Sequence, residues 1–263
     1  MSLPPSDPTP GLKNREIREL LDNLQYLKCP GIAEQFERLA RQANTDRWSY
    51  ITYLSHLVTM ECNLKRQRAE ERRISQARFP VVKTLEQFVW NWPKEINQPL
   101  IKDLFRLQFI PKHENVIFLG GVGTGKTHLA TALGYHACTQ GKRVLFTNTI
   151  EVINDLILAR KSGRLKPQIN RYVKPEVIIL DELGYLPIDK SGADLLFQVI
   201  SGRYETGSII LTTNRAFKDW PEIFNNDSTL TSALLDRLLH HAQTVVIEGK
   251  SYRMKDQQEK QTK

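Results

Sequence analysis

The octet Gly120-Gly121-Val122-Gly123-Thr124-Gly125-Lys126-Thr127 sets a run of small residues, one cation and one hydroxyl between a strand-like stretch and a helix-like one. Phosphate chemistry needs that combination. Small residues let successive backbone N–H groups curl round an anion with no Cβ in the way, and the spacing G-x-x-x-x-G-K-[ST] is the phosphate-loop pattern. The helix that follows points its positive end at the same anion. In such a loop Lys126 reaches the β- and γ-phosphates of a nucleoside triphosphate and Thr127 holds Mg²⁺, with His128 next in the chain. Carboxylates must complete the site, and "EVIILDE", Glu176 to Glu182, supplies two. An apolar run ending in Asp181 sets a carboxylate at the C-terminal edge of a sheet, where ligands of open α/β sheets collect. Asp181 can hold the metal, and Glu182 can polarise a water for attack on the γ-phosphate. A third apolar run, "SIILTTN", ends in Asn214, which can reach the same water or phosphate from a neighbouring strand.

Strands and helices must hold these groups at one edge. From Asn115 the rhythm alternates: "NVIFLG", the helix after the glycine loop, "RVLFTN", "TIEVINDLILARKSG", "EVIILD", "GADLLFQVISGRYE", "SIILTTN", "LTSALLDRLLHH" and "TVVIEG". Several strands are almost wholly apolar, the pattern of parallel strands buried on both faces. The expected fold class is therefore α/β, a central parallel sheet with helices on both sides, over residues 115–250. Upstream, residues 1–13 hold four prolines and little to bury, and read as a disordered lead-in. Residues 14–78 read as a small helical domain: Leu20, Leu24 and Leu27, then Ile32, Phe36 and Leu39, recur at helical spacing, Lys28-Cys29-Pro30-Gly31 is a break, and a further helix starts near Trp48. Residues 79–114 read as a linker and a helix leading into the core, with Leu100, Leu104, Leu107 and Ile110 on one face, and residues 251–263 as a charged tail.

A net charge of +8 and an isoelectric point near 9.4 point to a polyanionic partner, most often nucleic acid. The stretch "ARKSGRLKPQINRYVKP" concentrates cations, Arg160, Lys161, Arg164, Lys166, Arg171 and Lys174, with no acidic residue, on the connection leading to the strand of Asp181. Phosphate contacts from such residues give salt-sensitive DNA binding that tolerates many sequences. Stacking is secondary there, because Tyr172 is the lone aromatic. The basic stretch from Lys65 to Arg78 includes Glu70 and Glu71 and reads as a solvated helix face. A mean hydropathy of −0.40 without a run of 18 apolar residues argues against a membrane span. The N-terminus has no cationic start followed by an apolar stretch, so the cytoplasm is the expected compartment. Cys29, Cys62 and Cys138 are far apart and odd in number, which argues against a disulfide framework and a zinc site. The six histidines show no metal-ligand spacing, and His128, His240 and His241 read as structural. Trp48, Trp90, Trp92 and Trp220 read as packing residues rather than a ligand cage, although Trp90 and Trp92 lie in the linker and could pack near a nucleotide base.

The order of phosphate loop, "IILDE", "LTTN" and "LLDRL" resembles that of the AAA+ ATPases. The longer strings "GGVGTGKTHLATALG", "DELGYLP", "LLFQVISGRYETGSIILTTN" and "ALLDRLLHHAQTVVIEGKSYRMK" resemble the IstB family, the transposition helper ATPases of bacterial insertion sequences, over about Asn14 to Lys255. The resemblance implies an AAA+ P-loop core and an ATP- and Mg²⁺-dependent homo-oligomer with ATP between its subunits. Such an oligomer binds and deforms duplex target DNA, delivers it to a partner transposase of the IstA type and hydrolyses ATP as a timing step. Carried onto this chain, the resemblance sets Gly120, Gly125, Lys126 and Thr127 on the nucleotide, within a binding run from Gly120 to His128 that takes in Gly121, Val122, Gly123 and Thr124. Asp181 and Glu182 fall on metal and water, and Asn214 acts as sensor. Arg237 matches the position from which AAA+ proteins insert an arginine into a neighbouring subunit's site, where it neutralises charge spreading over the γ-phosphate; Arg203 in "SGRYE" is a second candidate. After Arg237 only 26 residues remain, too few for the usual helical lid, so the core is expected to be lidless and completed by oligomer packing. Arg253 is a further cation near the end. Two alternatives stand beside this reading. One is a DnaC-type helicase loader, which the chain also resembles and which should bind a helicase and prefer single strands. The other is a small-molecule kinase, against which stand the basic balance and Glu182 after Asp181.

Overall fold

Wholly apolar strands have to be covered on both faces, and the computed structural model, which describes residues 10–252, covers them with helices that alternate with the strands along the chain. Residues 1–9 and 253–263, Arg253 among them, lie outside the described residues. The chain divides into two units at Glu71/Arg72.

The first unit holds α1 (Pro10–Tyr26), α2 (Pro30–Thr45) and most of α3 (Tyr50–Ala77). Helix α1 begins inside the stretch expected as lead-in, because proline's fixed φ suits a first helical turn whose N–H groups have no helical partner. Leu24, Leu39 and Leu57 are buried. The Glu61 carboxylate accepts the Ile32 N–H at 3.1 Å, and a Cβ on Gly31 would stand 2.9 Å from that carboxylate, so a larger residue there would have to displace the Glu61 side chain.

The second unit continues through β1 (Glu95–Ile96), α4 (Gln98–Leu104), β2 (Asn115–Gly120), α5 (Lys126–Thr139), β3 (Val144–Asn148), α6 (Thr149–Lys161), α7 (Leu165–Val173), β4 (Val177–Leu183), α8 (Lys190–Arg203), β5 (Ser208–Thr213), α9 (Trp220–Ile223), α10 (Ser228–Leu239) and β6 (Ala242–Glu248). The sheet order is β1-β6-β2-β5-β4-β3, with β1 antiparallel to β6 and the other pairs parallel. Strand side chains alternate between two apolar layers, as a period of two requires. Ile178 and Leu180 pack with Leu156, Leu196 and Leu234 on one face, while Val177 and Ile179 pack with Leu129, Leu133 and Ile101 on the other.

Residues 79–114 are more than a linker, since Phe88, Ile101, Leu104, Phe109 and Ile110 belong to the core. Helix α4 is short. Asn97 caps it by accepting the Leu100 N–H at 3.0 Å, and the chain turns at Leu107 with φ 59°, so Leu107 and Ile110 are buried from turns rather than from one helical face. Within the basic connection, α7 forms because Ile169 and Tyr172 face the core while the cations face outward.

Candidate functional site

Between β2 and α5 the loop takes left-handed turns at Gly123 (φ 74°) and Gly125 (φ 98°), a region of backbone space that glycine enters without steric cost. A Cβ on Gly125 would also stand 2.7 Å from the Phe88 ring. The Thr124 hydroxyl donates to Gly121 O at 2.9 Å and braces the turn, while Val122 projects outward. Lys126 begins α5, and its ammonium donates to Gly120 O at 2.8 Å and Gly121 O at 2.6 Å, which holds the cation at the mouth of the loop.

Thr127 and Asp181, distant in the chain, meet there: the hydroxyl donates to Oδ1 at 2.9 Å and lies 3.2 Å from Oδ2. They meet because β4 ends on the same edge of the sheet as the phosphate loop, with β5 between them. The β4–β5 pairing carries a bulge. Leu180 pairs with Leu211 and Leu183 with Thr213, so Asp181 and Glu182 together oppose the single residue Thr212. Glu182 absorbs the extra residue by adopting φ 60°, a left-handed conformation costing about 1–2 kcal/mol for a residue with a Cβ. Bulges of this kind re-aim side chains beside functional sites. Thr212 is buried and serves both acids, donating to Asp181 Oδ1 at 2.5 Å and accepting the Glu182 N–H at 2.9 Å. On the other side of β4, Asn148 at the end of β3 donates its amide N–H to Glu182 Oε2 at 2.8 Å, while its carbonyl oxygen caps α6 through the Ile150 N–H at 3.0 Å.

Burial is the main influence on Asp181 and pushes its carboxyl above the usual range; the Thr212 and Thr127 hydroxyls pull it back, Glu182 pushes it up again and Lys126 lowers it. A buried carboxylate beside a hydroxyl is a hard oxygen pair of the kind that takes Mg²⁺. Burial lowers His128, whose Nε2 lies 2.9 Å from Thr84 O and whose ring meets Phe88 edge-on.

Two cavities flank this edge. One, of about 620 Å³, joins the phosphate loop and His128 to Val82, Phe88, Trp92 and Tyr252. Trp92 thus borders the nucleotide loop, whereas Trp90 packs edge-on against Phe88. The backbone N–H of Tyr252 donates to Gly123 O at 2.8 Å and ties the start of the expected tail to the loop. The other cavity, of about 670 Å³, is bounded by Asn148, Glu151, Asp155, Arg171, Asp181 and Glu182 among others.

Asn214 follows β5 directly and is exposed at this same edge. Arg237 is not brought there. It sits on α10 beside the starts of β2 and β5, donates to Ala233 O at 3.0 Å and lies over the Phe197 ring at 4.7 Å. Arg203 is excluded as an arginine offered to a neighbour. It is 1% exposed, and its guanidinium donates to Tyr172 O, Val173 O and Pro175 O at 2.9 Å each and to Glu176 O and Ser208 O at 3.2 and 2.8 Å. Of the basic stretch, Arg160, Lys161, Arg164, Lys166 and Lys174 are exposed, with Arg160 donating to Ser191 Oγ. Arg171 instead faces Asp155 at 3.7 Å, and Tyr172 is buried with its hydroxyl donating to Asp155, so it offers no stacking face.

Sequence reasoning missed Asn148, Thr212 and, Trp92 apart, the apolar wall of the nucleotide-side cavity. Asn148 looks like an ordinary helix cap, which it also is, and Thr212 looks like a strand residue. A second polar residue beside Asn214 in "LTTN" is the one available signal for Thr212. Among the described residues no helix is long and apolar enough to cross a membrane.

Comparison with known proteins agrees with this geometry. Residues 22–260 match the family model of IstB-like ATP binding proteins. The insertion sequence IS21 ATP-binding protein of Pseudomonas aeruginosa is 43% identical over 240 residues, covering 91% of this chain and 90% of the relative. The insertion sequence IS5376 ATP-binding protein of Geobacillus stearothermophilus is 39% identical over 238 residues, covering 89% and 94%. Among solved structures, AMPPCP-bound DnaA from Aquifex aeolicus superposes with a TM-score of 0.53 at 25% identity, over 68% of this chain and 54% of that one, so this chain spans about half the length of DnaA. The DnaC helicase loader superposes with a TM-score of 0.50 at 22% identity, over 63% and 96%, a likeness of fold alone. An AAA+ P-loop core carrying a phosphate loop, matched along nearly its whole length, places the chain in the IstB-like ATP binding protein family.

Proposed function

We propose that this chain is an ATP-hydrolysing transposition helper that assembles on duplex DNA and passes it to a partner transposase. The observation that carries the reading is the meeting of Thr127 with Asp181 beside a bulged Glu182, in a chain whose relatives are named for insertion sequences. The run Gly120 to His128 wraps the phosphates, with Gly121, Val122, Gly123, Thr124 and Gly125 lending backbone N–H groups and Lys126 countering the β/γ charge. Val82, Phe88, Trp92 and Tyr252, which line the cavity beside the loop, would receive the base. Thr127 and Asp181 would hold Mg²⁺, which when bound neutralises charge developing on the β- and γ-oxygens. Glu182 orients a water and takes its proton, Asn148 holds the Glu182 carboxylate in place, and Asn214 contacts the γ-phosphate.

Arg237 acts on the nucleotide of a neighbouring subunit in a homo-oligomer, a role its distance from its own chain's site supports. Arg160, Lys161, Arg164, Lys166 and Lys174 meet DNA phosphates, with Arg171 contributing from the cavity wall. Deforming the duplex costs a few kcal/mol, which cationic contacts from several subunits offset. The helicase-loader reading gains no observation beyond shared fold.

The test follows phosphate release and mass photometry on a duplex of about 60 base pairs. Glu182→Gln should keep ATP-dependent assembly and slow turnover at least ~10²-fold, the scale of a lost general base. Lys126→Ala should lose both. Normal turnover by Glu182→Gln would remove Glu182 from the chemistry, and an assembly indifferent to duplex would remove the transposition reading.

A further inference from the structure

At the opposite edge of the sheet, where β2, β5 and β6 begin, Glu205, His240 and His241 each present one donor atom, and the three atoms lie within 4.8 Å of one another. The histidines form no set by spacing in the chain, but folding brings a carboxylate from upstream beside them. Both ligand-bearing turns are anchored. Glu205 sits at φ 57° in a turn closed by the Thr206 and Gly207 N–H groups on Arg203 O, each at 3.0 Å, and the buried Arg203 guanidinium pins the flanking chain through Ser208 O. The His241 carbonyl accepts the Asn115 N–H at 2.7 Å, which ties the end of α10 to the start of β2.

The donors suit a particular ion. Two imidazoles and a carboxylate match Zn²⁺ and its first-row neighbours rather than Mg²⁺, which prefers an all-oxygen shell. Zinc bonds of about 2.0–2.1 Å bring tetrahedral donors to roughly 3.3 Å separation, so the three exposed side chains would draw together on binding. His240 Nδ1 lies 2.7 Å from the Tyr204 hydroxyl. With the proton on Nδ1 donated to that oxygen, Nε2 keeps its lone pair for a metal, the usual outer-shell device for fixing an imidazole tautomer.

We propose that Glu205, His240 and His241 bind one Zn²⁺-class divalent cation, with Tyr204 orienting His240 and solvent completing the coordination. Such an ion clips the end of α8 to the end of α10 beside Arg237, which lines the same small cavity as Glu205 and His241. Binding of the ion is separate from any role of Arg237.

The probe is Co²⁺, read by its visible absorption, with Zn²⁺ added in competition. The chain is used whole and without a histidine tag, and Mg²⁺ is kept in excess to occupy hard oxygen sites. One Co²⁺ should bind per chain and be displaced by Zn²⁺. The paired variant His240→Ala/His241→Ala, and separately Glu205→Gln, should weaken binding at least tenfold, while Tyr204→Phe should weaken it about tenfold. Circular dichroism and melting of each variant establish that it folds; should the paired variant not fold, Glu205→Gln and Tyr204→Phe carry the test. Absence of saturable one-to-one binding, or binding unchanged in the variants that fold, overturns the assignment and moves any bound metal elsewhere, including the thiols of Cys29 and Cys62.

Discussion

Replacing Arg203 and Arg237 in turn by methionine separates an internal clamp from an arginine available to another subunit. Methionine keeps most of the aliphatic volume, so the perturbation is chiefly the lost guanidinium. At Arg203 five carbonyls lose a charged donor at once. Charge-assisted bonds contribute about 1.5–3 kcal/mol each, or roughly 8–15 kcal/mol gross. Holding a guanidinium away from water costs several kcal/mol in return, and burial pushes its pKa down to about 10, still well above neutrality. The net loss is then about 3–5 kcal/mol, as for other broken buried charge networks. At about 2–4 °C per kcal/mol for a unit of this size, Arg203→Met should melt roughly 6–20 °C below the wild type. Arg237→Met forfeits one bond to Ala233 O and a cation–π contact on Phe197, together about 1 kcal/mol, and should melt within about 4 °C of the wild type. Calorimetry supplies the melting temperatures, and mass photometry with ATP and duplex supplies assembly. Arg237→Met should lose ATP-dependent turnover while remaining folded. An Arg203→Met protein with unchanged melting but no assembly would refute the reasoning, because its guanidinium would then face a neighbour rather than its own carbonyls.

Two further perturbations probe the acid pair. Thr212→Val keeps the shape of a buried side chain but leaves the Glu182 N–H unpaired and Asp181 short of a donor, at about 1–3 kcal/mol per orphaned group. Urea unfolding should register that loss, with ATP turnover falling further than stability alone explains; wild-type values in both assays would dissolve the link. Asp181→Asn tests the raised carboxyl. A group whose native pKa is raised contributes stability below its unfolded value, near 3.9, and loses it as pH climbs through the native value. Without divalent metal the asparagine variant should therefore melt above the wild type at pH 7–8, with the gap closing toward pH 4, and it should show no Mg²⁺-dependent rise. A constant gap at all pH values would contradict the burial argument.

The parts of the site legible in the chain are those whose chemistry depends on local spacing. Gly123, Gly125, Lys126 and Thr127 act within one loop, and the apolar runs before Asp181 and Asn214 declare buried parallel strands. What escaped depends on strand order. Asn148 is recognisable as a cap, but its second bond exists only because β3 lies beside β4. Likewise Arg203 and Arg237 are both arginines near helix ends, and nothing local separates them. Burial does: the α8 end packs under the α7–β4 connection and traps one, while the other lies on a neighbouring ring. The region from Phe79 to Glu114 is legible only as a linker and one helical face, because α4 ends at Leu104 and the turn at Leu107 sends Leu107, Phe109 and Ile110 into the core from outside any helix.

The order β2-β5-β4 has a mechanical consequence for the pair of acids. In an even strand Asp181 and Glu182 would point to opposite faces of the sheet. Metal and water, however, must be held at one edge by both. The bulge resolves the conflict by letting two residues of β4 face one of β5, and the left-handed turn at Glu182 is the local cost. Thr212 makes that cost sustainable, because its single hydroxyl satisfies the displaced Glu182 N–H and steadies Asp181 together. A hydroxyl at this position is therefore coupled to the carboxylate that follows the bulge, so the losses from Thr212→Val and Glu182→Gln in one chain should fall short of the sum of the two measured singly. Full additivity in that double-mutant cycle would mean that Thr212 supports the fold without governing Glu182.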